Sequence, residues 1–493
     1  MKRNPSVCVI GAGMTGILLA IKLRDAGISD ITVFEKKDEI GGTWRENTYP
    51  GVACDVPSHM YTYSFEPNPD WSNFFARGPE IKEYFERVTD KYDVRKYIRF
   101  NEGVTEARYS DAKWSLTTSK NLHYTFDFVI AATGILHHPS FPDIPGLDTF
   151  AGEIFHTAEW DHSVNTGSGV KVGIIGTGST AAQAIPELVN NGADVSVFQR
   201  TPQWLLPLSD FSIGDKTKRF LNRYSFAHKF MRRFAIWFME HMFTKAVTGH
   251  PIQKKLLEWA CRINLRLSIK NRVLRQKLKP NYQVGCKRVI VNTTFYPAIQ
   301  KENAHLITSG IERITEDGVL TKDGTLHKLD VIVLSTGFKP LNFMRPMNMT
   351  GRNGLHIDTA WQHSVKAYRS MLLPNFPNFF LMLGPNTPIG NFSVIAMSEV
   401  QADYVMQLIE KWRNNEFDEI EPRQEAVQRF NNYVKEGLKG TAWVGGCQSW
   451  YLDPDGDPIL WPYTWGEWVK QMAKPNMADL QTRSVTNQSK NAA

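Results

Sequence analysis

Cysteine is scarce in this chain of 493 residues: Cys8, Cys54, Cys261, Cys286 and Cys447 are all it has. They are odd in number and scattered, and no CxxC pair occurs. That argues against a dithiol redox centre and a thiolate zinc site, and no metal is expected. A reducing cytosol is the simplest reading, so a cytoplasmic location is expected. Long hydrophobic runs are missing too. No stretch reaches the ~18 continuous apolar residues that a membrane span requires. Met1-Lys2-Arg3 and the apolar run after them imitate a secretory signal. That run contains Gly-Ala-Gly-Met-Thr-Gly, however, and continues into a charged amphipathic segment. It therefore reads as the first strand and helix of the fold. No recognised nucleic-acid module is present, and none is expected as a partner.

Aromatic residues are abundant: 14 Trp, 16 Tyr and 28 Phe. Most of them fill core in a chain long enough for two or three domains. The ordered signal lies in the glycines. Val7 to Ile10 reads as a strand, Gly11-x-Gly13-x-x-Gly16 as a glycine turn, Ile17 to Ala26 as a helix, and Ile31 to Phe34 as a second strand closed by Glu35. The first glycine permits the tight turn, the second admits a pyrophosphate against backbone, and the third lets helix pack on strand. A carboxylate at Glu35 can accept bonds from ribose hydroxyls.

The pattern recurs. Val170 to Ile175 is a strand, Gly176-x-Gly178-x-x-Ala181 the turn, Thr180 to Asn190 a helix, and Val195 to Phe198 the next strand. Two dinucleotide-binding units imply two nucleotide cofactors. Gly176, Thr177, Gly178, Ser179, Thr180 and Ala181 form the second phosphate-binding turn. The second unit ends in Gln199-Arg200-Thr201 with no acid. A carboxylate there would repel a 2′-phosphate, and a guanidinium can fork onto one, so NADPH is favoured over NADH. Lys287 is a second candidate for that phosphate. FDFVIAATG near Ala131 and LDVIVLSTGF near Leu334 are near copies, one after each glycine turn, so the chain looks like two related halves. A further strand, FFLMLGPN, follows Asn378, and a helix candidate runs from about Phe392 to Trp412. The tail after Met477 is polar and expected to be disordered.

Two further motifs carry a family likeness. Phe150-x-Gly152-x-x-x-His156-x-x-x-Trp160-Asp161 resembles the fingerprint of type I Baeyer–Villiger monooxygenases, within the flavin-containing monooxygenase superfamily. Gly42-x-Trp44, Tyr49-Pro50-Gly51 and Asp55 resemble a second family motif. The likeness covers most of the chain. It implies an α/β fold with an NADPH-binding domain, 149–377, inserted in a discontinuous FAD-binding domain, 1–148 and 378–493. It implies FAD, NADPH and O2 as reactants, and conversion of a ketone to an ester or lactone through a flavin C4a-peroxide. On that likeness Arg288, beside Lys287, is the cation that stabilises the anionic peroxide, and Asp55 orients it. Gly42, Thr43, Trp44, Tyr61 and Asn386 match flavin-lining positions, and Val104 matches the residue whose backbone meets the adenine. His156 matches a linker histidine that couples domain motion. An amine- or sulfide-oxidising flavin monooxygenase is the alternative. A non-catalytic sensor of NADPH redox state is a further one, against which the complete constellation argues.

One stretch nearly lacks acid. From Gly214 to Arg288 there are 19 Lys or Arg against 3 Asp or Glu, an excess of 16 where the whole chain is +7. Phe220, Ala227, Phe230, Phe234 and Trp237 recur near helical spacing, as do Leu256, Ala260, Ile263 and Leu267. A helical insertion at about 205–280 is expected. Its simplest reading is a set of helices with solvated outer faces and no membrane attachment. Contact with anionic lipid and a funnel for anionic NADPH are the other two.

Overall fold

The computed structural model describes residues 2–387, 392–447, 449–450 and 452–484. The first glycine turn follows β1 (Ser6–Ile10) and opens α1 (Met14–Asp25), which leads to β2 (Asp30–Phe34). β1 is the middle strand of a five-stranded parallel sheet. β2 lies on one side, with Ile98–Arg99 beyond it, and β3 (Phe128–Ala131) on the other, with Phe379–Leu381 beyond. Both faces of the sheet are covered: α1 packs on the side of Val7 and Val9, and the strands Val104–Ser110 and Lys113–Thr118 pack on the side of Cys8, so all three residues are fully buried. The expected late helix forms over Val394–Arg413 and meets α1, with Thr15 Oγ1 2.9 Å from Ser398 Oγ.

A second parallel sheet repeats the plan. β4 (Lys171–Ile175) is its middle strand, α2 (Ser179–Asn190) follows the second glycine turn, and β5 (Asp194–Phe198) pairs on one side. β6 (Val331–Leu334) pairs on the other side, with Glu153–His156 and Ala304–Ile307 at the edges. β3 and β6 are the two near-copied segments, and each pairs with the strand that precedes a glycine turn. The fold is α/β with two Rossmann-like sheets.

Two expectations need correction, and one bond was not foreseen. Residues after Phe338 return to the first unit earlier than the expected boundary at 378. Asn348–Thr350 adds a parallel strand to Val104–Ser110, and Phe343, Met347, Met349 and Trp361 pack with Trp114 and Val129. This Met- and aromatic-rich stretch has no clear period, so FFLMLGPN supplied the first legible strand. The tail is ordered as far as residue 484: Leu480–Arg483 pairs antiparallel with Glu419–Pro422, because Leu480 is buried and Asp479 accepts a bond from Tyr368 Oη at 2.8 Å. Residues 485–493 lie outside the described residues. Finally, Cys286 and Cys447, 161 residues apart, form a disulfide with Cα atoms 6.2 Å apart. Cys8, Cys54 and Cys261 are free and buried.

The insertion includes α3 (Asp215–Arg223), α4 (Ser225–Met239), continued helically through Glu240–Thr244 and Lys245–Val247, α5 (Pro251–Ser268) and α6 (Arg272–Lys277). Leu205–Leu206 and Ile290–Val291 pair in parallel at its base. Its buried side is shared: Met239, Phe243 and Leu257 join the first unit's core, and Leu265 and Ile269 join the second's. No helix among the described residues is long and apolar enough to cross a membrane.

Candidate active site

The first glycine turn is built where side chains cannot go. Gly11 has φ +105°, and a Cβ there would lie 2.8 Å from Ala132 O. A Cβ on Gly16 would lie 1.8 Å from Gly11 O, so α1 packs directly on the turn. Gly42 faces Gly13 so closely that its Cβ would sit 3.1 Å from Gly13 Cα. Backbone alone lines this cradle at the start of α1, which fits the pyrophosphate of a dinucleotide. Glu35 is buried at the end of β2. Its Oε2 accepts from Ala12 N at 2.9 Å, and its Oε1 accepts from Lys37 N and pairs with Arg45 at 3.1 Å. The acid thus also holds the turn itself. Glu102 N donates to Glu35 O at 2.9 Å, which brings Val104 to the same end. Thr43 and Trp44 begin a short helix behind Gly42, and Trp44 Nε1 donates to Tyr61 Oη at 3.1 Å. Asn386 is pinned by its N–H to Ile459 O at 2.9 Å. Gly13 with Gly42, Ala12 with Glu35, and Glu35 with Glu102 meet at this end of the sheet, a cradle that fits a dinucleotide such as FAD.

The second turn follows the same logic. Gly176 has φ +116°, and a Cβ there would meet Ser335 O at 2.3 Å. Thr177 Oγ1 donates to Thr201 O at 2.8 Å, which ties the turn to the end of β5. Gly178 precedes Ser179 and Thr180 in the first turn of α2. Ala181, in the third glycine's place, is fully buried, so its methyl serves as core. Gln199 donates to Lys277 O at 2.8 Å and so anchors the insertion. Arg200 is exposed and lies near Lys287. Burial first, and then the Arg200 charge, hold the Lys287 ammonium below the ordinary lysine range. Two cations separated by 87 places in sequence therefore share one locality, which suits a 2′-phosphate.

Asp55 and Arg288 meet between the two turns. Arg288 Nε donates to Asp55 Oδ2 at 2.9 Å and NH2 donates to Oδ1 at 2.6 Å. Both are partly buried. Asp55 belongs to a loop that α2 grips through Gln183, a residue the sequence reading passed over. Tyr49 Oη donates to Gln183 Oε1 at 2.8 Å, and Gln183 Nε2 donates to Ala53 O at 3.0 Å. A signal existed, because Gln183 is a polar residue within the apolar stretch AAQAI. The disulfide, also missed, places its Cys286 directly before Lys287 and Arg288. Burial pushes the Tyr49 and Tyr61 hydroxyls and the Cys54 thiol well up, so all three are neutral at ordinary pH.

The fingerprint residues lie along the edge strand Glu153–His156 and the segments that flank it. A Cβ on Gly152 would meet Asp330 O at 2.3 Å, and Phe150 packs beside it. His156 ends its strand, is buried, and lies between the rings of Phe141 and Phe338. Burial lowers its pKa, and its Nδ1 accepts from Ala158 N at 3.1 Å. Trp160 joins the second unit's core with Tyr49 and Val52. Asp161 is spent on a local turn, accepting from Ser163 N at 2.8 Å and Ser163 Oγ at 2.6 Å.

The model of flavin-binding monooxygenase-like proteins matches residues 4–436. The chain belongs to that family. Among curated family members, an uncharacterized monooxygenase of Mycobacterium tuberculosis is 43% identical over 465 residues, 94% of this chain and 92% of the relative. A Baeyer–Villiger monooxygenase of Streptomyces coelicolor is 38% identical over 483 residues, 96% of this chain and 92% of the relative. The crystal structure of the OTEMO complex with FAD and NADP superposes with a TM-score of 0.87 at 28% identity, covering 98% of this chain and 100% of that one.

Proposed function

We propose that this flavin monooxygenase is a Baeyer–Villiger enzyme: it takes a small-molecule ketone, O2, NADPH and a proton and yields an ester or lactone, NADP+ and water. The observation that carries the reading is the two-point Asp55–Arg288 pair, beside Lys287, between two glycine turns built for dinucleotides. The likeness to the Streptomyces coelicolor enzyme and to OTEMO supports it. FAD is assigned to the first turn with Gly11, Gly13, Gly16, Glu35, Gly42, Thr43, Trp44, Tyr61, Val104 and Asn386. NADPH is assigned to the second, from Gly176 to Ala181, with Gln199, Arg200, Thr201 and Lys287. The FAD-binding unit comprises 1–148 and the chain from about 340 onward, and the NADPH-binding unit lies between. NADPH supply places the reaction in the cytoplasm, where the Cys286–Cys447 bond belongs to an uncommon class.

Bound flavin, once reduced by NADPH, supplies the oxygen-activating chemistry. The protein's part is electrostatic. Asp55 fixes the plane of the Arg288 guanidinium, and a preoriented cation stabilises developing negative charge at little reorganisation cost. Each partner also needs the other, because an unpaired charge in a half-buried site is costly. Arg200 and Lys287 hold the coenzyme's phosphate, and neutral Tyr61 and Trp44 close the flavin side without adding charge.

The deciding experiment gives the purified protein NADPH, isotopically labelled O2 and a panel of cyclic, linear, aryl and steroid ketones, with amines and sulfides alongside. The expected product is an ester carrying one labelled oxygen. Oxides from amines or sulfides, with no ester from any ketone, would replace this reading with heteroatom oxidation.

A further inference from the structure

The outer face of the helical insertion is not the solvated polar surface expected of it. On α4, Phe226, Phe230, Phe234 and Trp237 are 67, 68, 54 and 53% exposed. Their spacing of four, four and three residues puts them on one side of the helix. The rings form a ridge: Phe230 stacks on Phe234 at 6.4 Å, Phe234 on Trp237 at 5.9 Å, and Trp237 on His241 at 4.8 Å. α5 carries a similar stripe, with Ile252, Leu256 and Trp259 at 69, 48 and 64% exposure. Exposed cations flank both: Lys229 and Arg233 on α4, Lys255 and Arg266 on α5, and Lys216, Arg219 and Arg223 on α3. The inner side of α4 is firmly held. Arg232 pairs with Glu399 at 3.0 Å, and His228 Nε2 lies 3.2 Å from His59 Nδ1. The ridge therefore rests on a fixed helix.

We infer that α3, α4 and α5 form a docking surface for an anionic lipid bilayer, with the aromatic ridges seated at the headgroup–acyl boundary and the flanking cations on the phosphates. An aromatic stripe bordered by Lys and Arg is the composition that this boundary selects. Charge decides between occupants. Residues 214–288 carry an excess of 16 positive charges. A second copy of the chain would bring like charges together, whereas an anionic leaflet attracts each one. Nucleic acid would satisfy the charge but not two solvent-facing apolar stripes at helical period. No spanning segment is needed, since the helices would lie in the interface plane. The inference is independent of the proposed reaction, because docking is measured without turnover. Its consequence for that reaction is direct. The inner side of α4 meets the Ser58–Met60 turn, which runs into Tyr61 of the flavin site, so a ketone dissolved in lipid would be received one helix away.

The test is flotation of the full-length, FAD-loaded protein with vesicles of phosphatidylcholine containing roughly 30% phosphatidylglycerol, compared with phosphatidylcholine alone. Binding to the anionic vesicles is expected, with release at about 1 M salt, where the Debye length is about 3 Å. The triple variant F230S/F234S/W237S should bind about tenfold or more weakly, through lost apolar burial. K229E/R233E should lose the preference for anionic vesicles. Both should keep the wild-type FAD content and thermal unfolding midpoint, which shows that they are folded. Failure of the wild type to float, or equal flotation of the triple variant, overturns the inference. So does a concentration-dependent dimer that the triple variant abolishes, which would assign the ridge to a second copy, or oligonucleotide binding tighter than vesicle binding.

Discussion

Arg288 and Asp55, 233 residues apart in sequence, form a two-point ion pair of 2.9 and 2.6 Å. Removing either side has different consequences. Arg288→Ala takes away the cation and leaves Asp55 without its counter-charge. Ester formation should fall by roughly a hundredfold or more, the usual scale for a lost preorganised charge. NADPH oxidation should continue, because hydride transfer belongs to the cofactors, with hydrogen peroxide as product. Asp55→Ala keeps the cation and loses its orientation, so its loss should be smaller. Product and peroxide assays together check this. Ester formation by Arg288→Ala at the wild-type rate would remove Arg288 from the site.

Arg200 and Lys287 make a prediction about coenzyme choice and pH. Arg200→Ala should raise the KM for NADPH about tenfold or more, from a bond worth roughly 1.5–3 kcal/mol, and leave the KM for NADH little changed. Lys287 is held below the ordinary lysine range by burial and by Arg200. A lowered pKa means that the ammonium is lost at lower pH than for a free lysine. Affinity for the 2′-phosphate should therefore be full at low pH and fall as pH rises through that lowered value. Lys287→Arg should hold it to higher pH, since a guanidinium does not deprotonate. Parallel pH profiles for wild type and Lys287→Arg would show that Lys287 does not touch the phosphate.

Thiol counting tests the disulfide. With Cys286 and Cys447 bonded and Cys8, Cys54 and Cys261 free, the protein denatured without reductant should show three thiols, and five after reduction. Five in both would mean that the pair is open in solution.

The parts legible in the sequence share one property: each is enforced locally. Gly11 and Gly176 must take positive φ against a neighbouring carbonyl, so glycine marks them whatever surrounds them. Arg200 at a strand end and Arg288 beside Lys287 were legible from residue type and family motif. What escaped was set by packing between distant segments. Nothing local to Cys286 or Cys447 says that they meet. Nothing in the Phe343–Met349 stretch says that it crosses back to the first sheet, since buried Met and Phe serve any core. The insertion's aromatic period announced helices, but period alone did not say which stripe would face outward. Phe230, read as one member of a helical repeat, is on the outer ridge, and Leu265, absent from that reading, is in core.

Gln183 offers the last prediction, because it separates two bonds that meet at one side chain. Its amide accepts from Tyr49 Oη and donates to Ala53 O, two residues before Asp55. Gln183→Ala leaves both groups without that partner, at a cost of about 1–3 kcal/mol each where burial is complete. The loop that carries Asp55 would lose its grip on α2, so a larger share of NADPH should end as hydrogen peroxide. Tyr49→Phe removes only the first bond and keeps the one to Ala53. It should lower thermal stability while leaving the ratio of ester to NADPH near wild type. Measured together, the two variants distinguish a positioning role from a merely structural one. If Tyr49→Phe uncouples the reaction as far as Gln183→Ala does, the bond to Ala53 is not what aims Asp55 at Arg288, and the grip must act through Tyr49 instead.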